Sequence, residues 1–361
     1  MSDFTTLGEI VKKAKETLTA KAWDALTGGA EAENTLRRNR LSLDSLAFRP
    51  RILRDMRQID LGRTFFGQRL RIPVAMAPIG SLADFHPEGA VAVARAAEKF
   101  GTMQFLSSAS LKNHPIEQVR SAASHPMVFQ LYVRGDDDWV IAQLRKAIDL
   151  GFFALCMTLD STVAAQRERE LSHGYDRRKA RTISDGGDAP LAVTWELIKR
   201  IRDTFTQPLI LKGLATAEDA TLAVEYGADA VYVSNHGGRA MDHGRGAIDI
   251  LPEVVNAVGR KTKILIDGGF FRGTDVIKAL ALGADIVCMG KMQGWSLGAG
   301  GTDGVVRMLE IIETEMKTNM ILLGANNLDA LGPSALQSAP PVTAPTVASA
   351  FPVYDISLNR T

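Results

Sequence analysis

Cysteine is almost missing: Cys156 and Cys288 are the two thiols in 361 residues, each inside an apolar run. That spacing makes neither a zinc site nor a disulfide framework, and predicts two buried free thiols in a reducing compartment. An excess of either charge is missing too, with 42 Lys and Arg against 41 Asp and Glu. A chain without a one-signed field has little to attract a nucleic acid or an anionic membrane, so neither is expected as a partner. No stretch approaches the ~18–20 uninterrupted apolar residues that span a bilayer. The opening MSDFTTLGEIVKKAKETL is an acid-containing amphipathic pattern and not a secretory leader. The closing residues are not a Ser-Lys-Leu address, and the expected location is cytoplasmic.

What the chain has is the make-up of a soluble globular protein, 46% hydrophobic and 23% charged. From about residue 70 short apolar runs alternate with helical periodicity. The runs are IPVAMAPIG (72–80), TMQFLSS (102–108), MVFQLYV (127–133), ALCMTLD (154–160), PLILKG (208–213), AVYVSN (230–235), ILIDGG (264–269) and IVCMGK (286–291). Intervening stretches such as PEGAVAVARAAEKFG and TDVIKALALG end in glycine, as helix C-termini do. Parallel strands need helical crossovers and eight can close, which predicts an α/β fold of the TIM (β/α)8 type. The competing open doubly wound sheet usually carries a glycine-rich fingerprint after its first strand, whereas here that strand runs into APIGSLADFHPEG. Residues 1–70 read as N-terminal helices and a small hairpin over LGRTFFGQRL that could plug the barrel bottom. Residues 71–330 read as the barrel, and 331–361 as a Pro/Ala/Ser-rich tail, flexible or draped on the surface.

Barrels of this type carry their chemistry at the C-terminal strand ends. Those ends hold Pro78, Gly80, Ser107, Gln130, Tyr132, Thr158, Asp160, Lys212, Ser234, His236, Asp267, Gly290 and Lys291. Singly, each has a bland reading: His236 a surface histidine, Asp160 a helix cap, Lys212 a solvated cation. Their convergence on one barrel face points instead to a polar cofactor and an acid–base group. Glycines after the seventh strand and Gly290-Lys291 after the eighth occupy the usual phosphate position of the fold.

SNHGGRAMD with AIDILPEVV, LILKGLATAEDA, DGGFFRGTDVIKALALGAD, FQLYV and FRPRILRDM resemble, in order from about residue 10 to 330, the FMN-dependent 2-hydroxy acid oxidase and dehydrogenase family. The resemblance implies a catalytic His236 that takes a substrate proton, with Asp160 on its far nitrogen. It implies Tyr132 donating to the substrate oxygen, and Arg167 with Arg239 clamping the substrate carboxylate. Lys212 would stand by the flavin pyrimidine edge. Pro78, Ile79, Gly80, Ser107, Gln130, Thr158 and Ser234 would line the isoalloxazine, and Asp267, Gly268, Gly269, Gly290 and Lys291 would hold the ribityl chain and phosphate. The cofactor so implied is FMN, and the assembly a homotetramer or homo-octamer.

The chain departs from the family pattern at several positions. Ala25 stands where relatives have a tyrosine, and Ala109 where glycolate oxidases have a bulky aromatic. Phe271 replaces a phosphate-contacting arginine, which leaves Lys291 and Arg272 for that task. Gly80 follows the family's dehydrogenases and monooxygenases, and the polar stretch LSHGYDRRKARTISDGGDAP reads as a lid. The expected activity is oxidation of an (S)-2-hydroxy acid larger than glycolate, aryl or long-alkyl, to the 2-keto acid, with O2 or a separate acceptor. Two alternatives are an FMN-dependent oxidase or monooxygenase acting on an atypical α-hydroxy metabolite, and a catalytically inactive barrel with a binding role.

Overall fold

The computed structural model describes residues 3–175, 193–354 and 356. Three helices lead the chain: α1 (Leu7–Thr17), α2 (Ala20–Thr27) and α3 (Asn34–Asp44). Thr6 caps α1, and Glu9 returns a bond to the Thr6 backbone N–H, which satisfies two of the amide groups a helix start leaves open. A short strand β1 (Leu46–Phe48) follows, then a hairpin of β2 (Arg63–Phe65) and β3 (Gln68–Leu70).

Eight parallel strands then close into a barrel in sequence order: β4 (Val74–Met76), β5 (Gln104–Ser107), β6 (Met127–Tyr132), β7 (Ala154–Thr158), β8 (Leu209–Leu214), β9 (Ala230–Val233), β10 (Lys263–Ile266) and β11 (Ile286–Met289). All eight expected runs are strands of this barrel. Their side chains are buried on both faces, because helices cover one face and the barrel interior the other, so they read as unbroken apolar runs. Helices α4 (Gly89–Phe100), α5 (Ile116–Ser121), α6 (Asp137–Asp149), α7 (Glu168–Ser172), α8 (Trp195–Thr204), α9 (Ala217–Glu225), α10 (Ala247–Val258) and α11 (Gly273–Ala281) lie in the connections. The last, α12 (Lys291–Leu323), kinks at Gly300 and Gly301 and packs along α1 and α4.

The barrel interior is a cluster of its own, with Phe105, Val128, Cys156, Ile210, Tyr232, Leu265 and Cys288 among its members. Phe65 and Leu70 of the hairpin join it, so the hairpin closes the floor. Both cysteines are buried and free. The C-terminal stretch lies against the body of the molecule: β12 (Leu336–Ser338) pairs antiparallel with β1, and Phe351, 2% exposed, meets Phe271 and Trp295. Phe351 acts as an aromatic anchor for this stretch. No helix among the described residues is long and apolar enough to cross a membrane.

Candidate active site

The chain leaves β9 in an unusual conformation. His236, Gly237 and Gly238 all lie in the left-handed region, at φ of 57°, 63° and 74°. At Gly238 a Cβ would stand 2.6 Å from the Leu36 backbone nitrogen, so the position requires glycine. A histidine there costs roughly 1–3 kcal/mol, which the surroundings must offset. They do so from α3: Asn39 and Asn235 exchange amide bonds at 2.7 and 3.1 Å, and Asn235 accepts from the Gly238 N–H at 3.2 Å. The turn thereby aims the imidazole across the barrel mouth.

His236 Nδ1 lies 3.0 Å from Asp160 Oδ1, beyond the end of β7, and Nε2 lies 3.0 Å from the Tyr132 hydroxyl at the end of β6. A carboxylate acceptor places the imidazole proton on Nδ1 and leaves Nε2 as the basic atom. Burial, only partly opposed by Asp160, pulls the imidazole below the ordinary histidine range. Burial works against the Asp160 charge as well, but Lys212 and His236 outweigh it and hold the carboxyl below its usual value. The Tyr132 phenol is pushed up, chiefly by burial, and stays a donor. Lys212, buried at the end of β8, is kept charged by Asp267 and Asp160 against that burial.

These groups face a cavity of about 450 Å³ lined by Tyr132, Arg167, Lys212, His236 and Arg239. Pro78, Ile79, Gly80, Ala25, Ala109, Asp267, Gly268, Gly269, Phe271, Gly290 and Lys291 line it too. A buried carboxylate that the sequence reading missed links the two arginines: Glu170, 3% exposed, lies 3.2 Å from Arg167 and 3.3 Å from Arg239. Arg239 also donates to the Ala25 and Gly28 carbonyls at the end of α2. The spacing Arg-x-x-Glu in QRERE was the available signal for Glu170.

Several expected cofactor residues are buried behind the cavity wall. Both amide atoms of Gln130 and the Thr158 hydroxyl have no hydrogen-bond partner among the described residues. Buried polar atoms in that state are costly, and together at the barrel mouth they fit a polar ring system bound against them. Ser107 accepts from the Ala109 N–H, and Ser234 is taken up by Lys212 and Asp267. A Cβ at Gly290 would meet only the Ala77 methyl, at 3.9 Å, so its backbone is open to the close approach of a phosphate. The residues therefore fit the FMN that the resemblance implies. Lys291 lines the cavity, but its Nζ donates to the Leu26 and Gly28 carbonyls, and burial among Arg239 and other cations drives its pKa well down.

Arg272 is the exception. It is not brought to the cavity: its guanidinium pairs with Glu315 at 2.5 Å and donates to the Ala350 carbonyl. The nearby backbone is held instead by Arg40, which donates to the Gly269 carbonyl at 2.6 Å and pairs with Asp275 at 2.8 Å. Gly80 has a steric reason of its own, since a Cβ would stand 2.5 Å from that of Ala109. The expected lid lies mostly outside the described residues, which resume at 193. No metal-binding cluster is found among the described residues.

Comparison with known proteins agrees with this geometry. Residues 14–338 match the family described as FMN-dependent dehydrogenase. The chain is 37% identical over 354 residues to an L-lactate oxidase of Nostoc sp., covering 91% of this chain and 97% of that one. It is 35% identical over 352 residues to a 4-hydroxymandelate oxidase of Amycolatopsis orientalis, covering 91% and 96%. A solved mandelate oxidase with (S)-2-phenylpropionate superimposes at a TM-score of 0.84 with 34% identity, covering 94% of this chain and all of that one. A closed eight-stranded barrel, an imidazole backed by a carboxylate at its mouth and a match over most of the length lead to one conclusion: the chain belongs to the FMN-dependent dehydrogenase family.

Proposed function

We propose that the protein oxidises an (S)-2-hydroxy acid larger than glycolate to the 2-keto acid, with FMN as its cofactor. The observation that carries this reading is a single cavity wall bearing a base and a carboxylate clamp. His236 Nε2, backed by Asp160, faces the same space as Arg167 and Arg239. The arginines bind the substrate carboxylate by paired charge-assisted bonds and fix the carbinol carbon. Tyr132 donates to the substrate hydroxyl oxygen. His236 takes up one of the two protons released as the CH–OH group becomes C=O, and Asp160 stabilises the imidazolium. FMN, when bound, would supply the acceptor for the two electrons and the other proton. Gln130, Thr158, Ser107 and Ser234 would meet its ring, with Pro78, Ile79 and Gly80 along the strand end and Lys212 at its pyrimidine edge. Asp267, Gly268, Gly269, Gly290 and Lys291 would hold its ribityl phosphate.

Substrate size follows from Ala25 and Ala109, which line the cavity with methyl groups. An aryl or long alkyl substituent fills the space these small side chains leave, and the names of the mandelate and 4-hydroxymandelate relatives support an aryl group. Assembly into four or eight subunits is part of the same reading. It is supported by the exposed apolar Ile52 and Leu53, at 80% and 97%, beside the end of α12. Light scattering on the purified protein counts the subunits.

The test is anaerobic bleaching of the bound flavin by glycolate, L-lactate, L-mandelate and a long-chain L-2-hydroxy acid, followed by air. Bleaching by the larger acids and not by glycolate is expected. Rapid recovery in air identifies oxygen as the acceptor, and recovery only with an added quinone identifies a separate one. A flavin-loaded protein that none of these acids bleaches would end the proposal.

A further inference from the structure

Lys212 is faced across the β8–β9 pairing by Tyr232, a tyrosine sealed inside the barrel at 0% exposure. The Lys212 Nζ lies 5.3 Å from the centre of its ring. The Tyr232 hydroxyl donates to Asp267 Oδ2 at 2.9 Å, and Ser234 donates to Oδ1 at 2.6 Å. Ser234 Oγ in turn accepts from Lys212 Nζ at 2.9 Å and from the His236 N–H at 3.0 Å. Lys212 Nζ itself stands 3.7 Å from Asp267 Oδ2, the same oxygen that the phenol holds at 2.9 Å.

Two donors thus compete for one buried carboxylate oxygen. In a water-poor interior the attraction between ammonium and carboxylate is strong, and a free Oδ2 would draw the lysine into direct contact. The phenol occupies that place, and Lys212 is left at ion-pair distance, bonded to Ser234 and lining the cavity. A hydroxyl inside an apolar barrel is costly unless it is bonded, and packing alone would be served by phenylalanine.

We infer that the Tyr232 hydroxyl is a positioning group for Lys212: by holding Asp267 Oδ2 it keeps the ammonium 3.7 Å from that oxygen, short of a hydrogen bond to it, and directs its charge into the cofactor site. The inference rests on the reading that Lys212 faces the flavin pyrimidine edge. A positive charge held there favours electron uptake by the bound cofactor, so the tyrosine sets how readily the flavin is reduced without touching it.

The test is Tyr232→Phe in the FMN-loaded protein, which keeps the ring under Lys212 and removes the hydroxyl. The midpoint potential of bound FMN, read by dye-coupled titration, is expected to fall. Anaerobic flavin reduction at saturating 2-hydroxy acid is expected to slow at least tenfold, with KM within twofold. Lys212→Met should lower the potential too, and the double variant should fall no further than Lys212→Met, because the phenol acts through the lysine. An unchanged potential in Tyr232→Phe, or additive shifts in the double variant, overturns the inference. If Tyr232→Phe does not retain FMN, 3-fluorotyrosine incorporated at position 232 keeps the packing and donates more strongly. It should leave the potential equal or higher, and a fall counts against the inference. The potential is read without substrate, so failure to oxidise any 2-hydroxy acid would end the proposed function and leave this test standing.

Discussion

The role proposed for His236 carries a pH dependence. Burial lowers its pKa from the ordinary 6.5, so the neutral form with Nε2 available prevails at neutral pH. Flavin reduction should rise with pH through a titration below the ordinary histidine range and level off toward neutrality. Asp160 is the partner that opposes this depression and meets the charge when Nε2 takes a proton. A hydrogen bond to a charged group contributes roughly 1.5–3 kcal/mol. Asp160→Asn should therefore slow anaerobic flavin reduction about 10- to 100-fold and move the acid limb to still lower pH. Stopped-flow traces across pH measure both, and an unmoved limb at wild-type rate would refute the pairing. Lys291 titrates in the other sense. Buried among cations, it is depressed, and a phosphate dianion beside it would restore its charge. FMN binding then takes up a proton and weakens as pH rises. Lys291→Met should weaken FMN at least tenfold and leave riboflavin affinity unchanged in fluorescence titrations of the deflavinated protein.

The short 3₁₀ turn after β5, Ser108–Lys112, carries Ala109 and decides what fits beside the base. Ser110 ties the turn to the Ile79 carbonyl at 2.8 Å, so it is a fixed wall. Ala109→Trp puts an indole into the cavity from that wall. The ratio of kcat/KM for L-mandelate over glycolate should drop at least tenfold, and a ratio that stays the same would mean that the substituent binds elsewhere. Such elements were legible in the sequence to different degrees. The strands were plain, because side chains buried on both faces leave unbroken apolar runs that end in polar residues at the mouth. His236, Asp160, Lys212 and Tyr132 were legible for the same reason, as polar groups where an apolar run stops. Glu170 was not, because an acid in a charged segment looks solvated until α7 folds it between two arginines. Tyr232 was hidden inside its strand, where alternation says which face a residue takes but not which carboxylate its hydroxyl meets. Arg272 misled for a related reason: adjacency in DGGFFRG suggested the cofactor, and Glu315 of α12 draws it away.

The ends of the molecule meet where its composition looked least ordered. Tyr354 bonds Thr6 at the start of α1 at 2.6 Å, Ser349 donates to Asp44 of α3 at 2.9 Å, and Ala350 accepts from Arg272. Proline, alanine and serine make this segment look like a linker, and these bonds together with the buried Phe351 make it part of the body. Phe351 lies 6.0 Å from Phe271 and 6.2 Å from Trp295, centre to centre, and Phe271 in turn lines the cavity. The chain thus has an apolar support at Phe271, with the Arg40 guanidinium 5.3 Å from the centre of that ring. Removing a buried phenyl group costs about 3–5 kcal/mol when its cavity cannot collapse. Phe351→Ala should therefore lower the thermal midpoint by several degrees. It should also speed FMN release, because Phe271 loses the ring that backs it against the cofactor site. Calorimetry and flavin fluorescence read the two effects on one sample. A tail that only drapes over the surface would cost under about 0.5 kcal/mol on the same substitution, as exposed positions do. A small loss of stability with unchanged FMN release would show that the C-terminal segment takes no part in building the site.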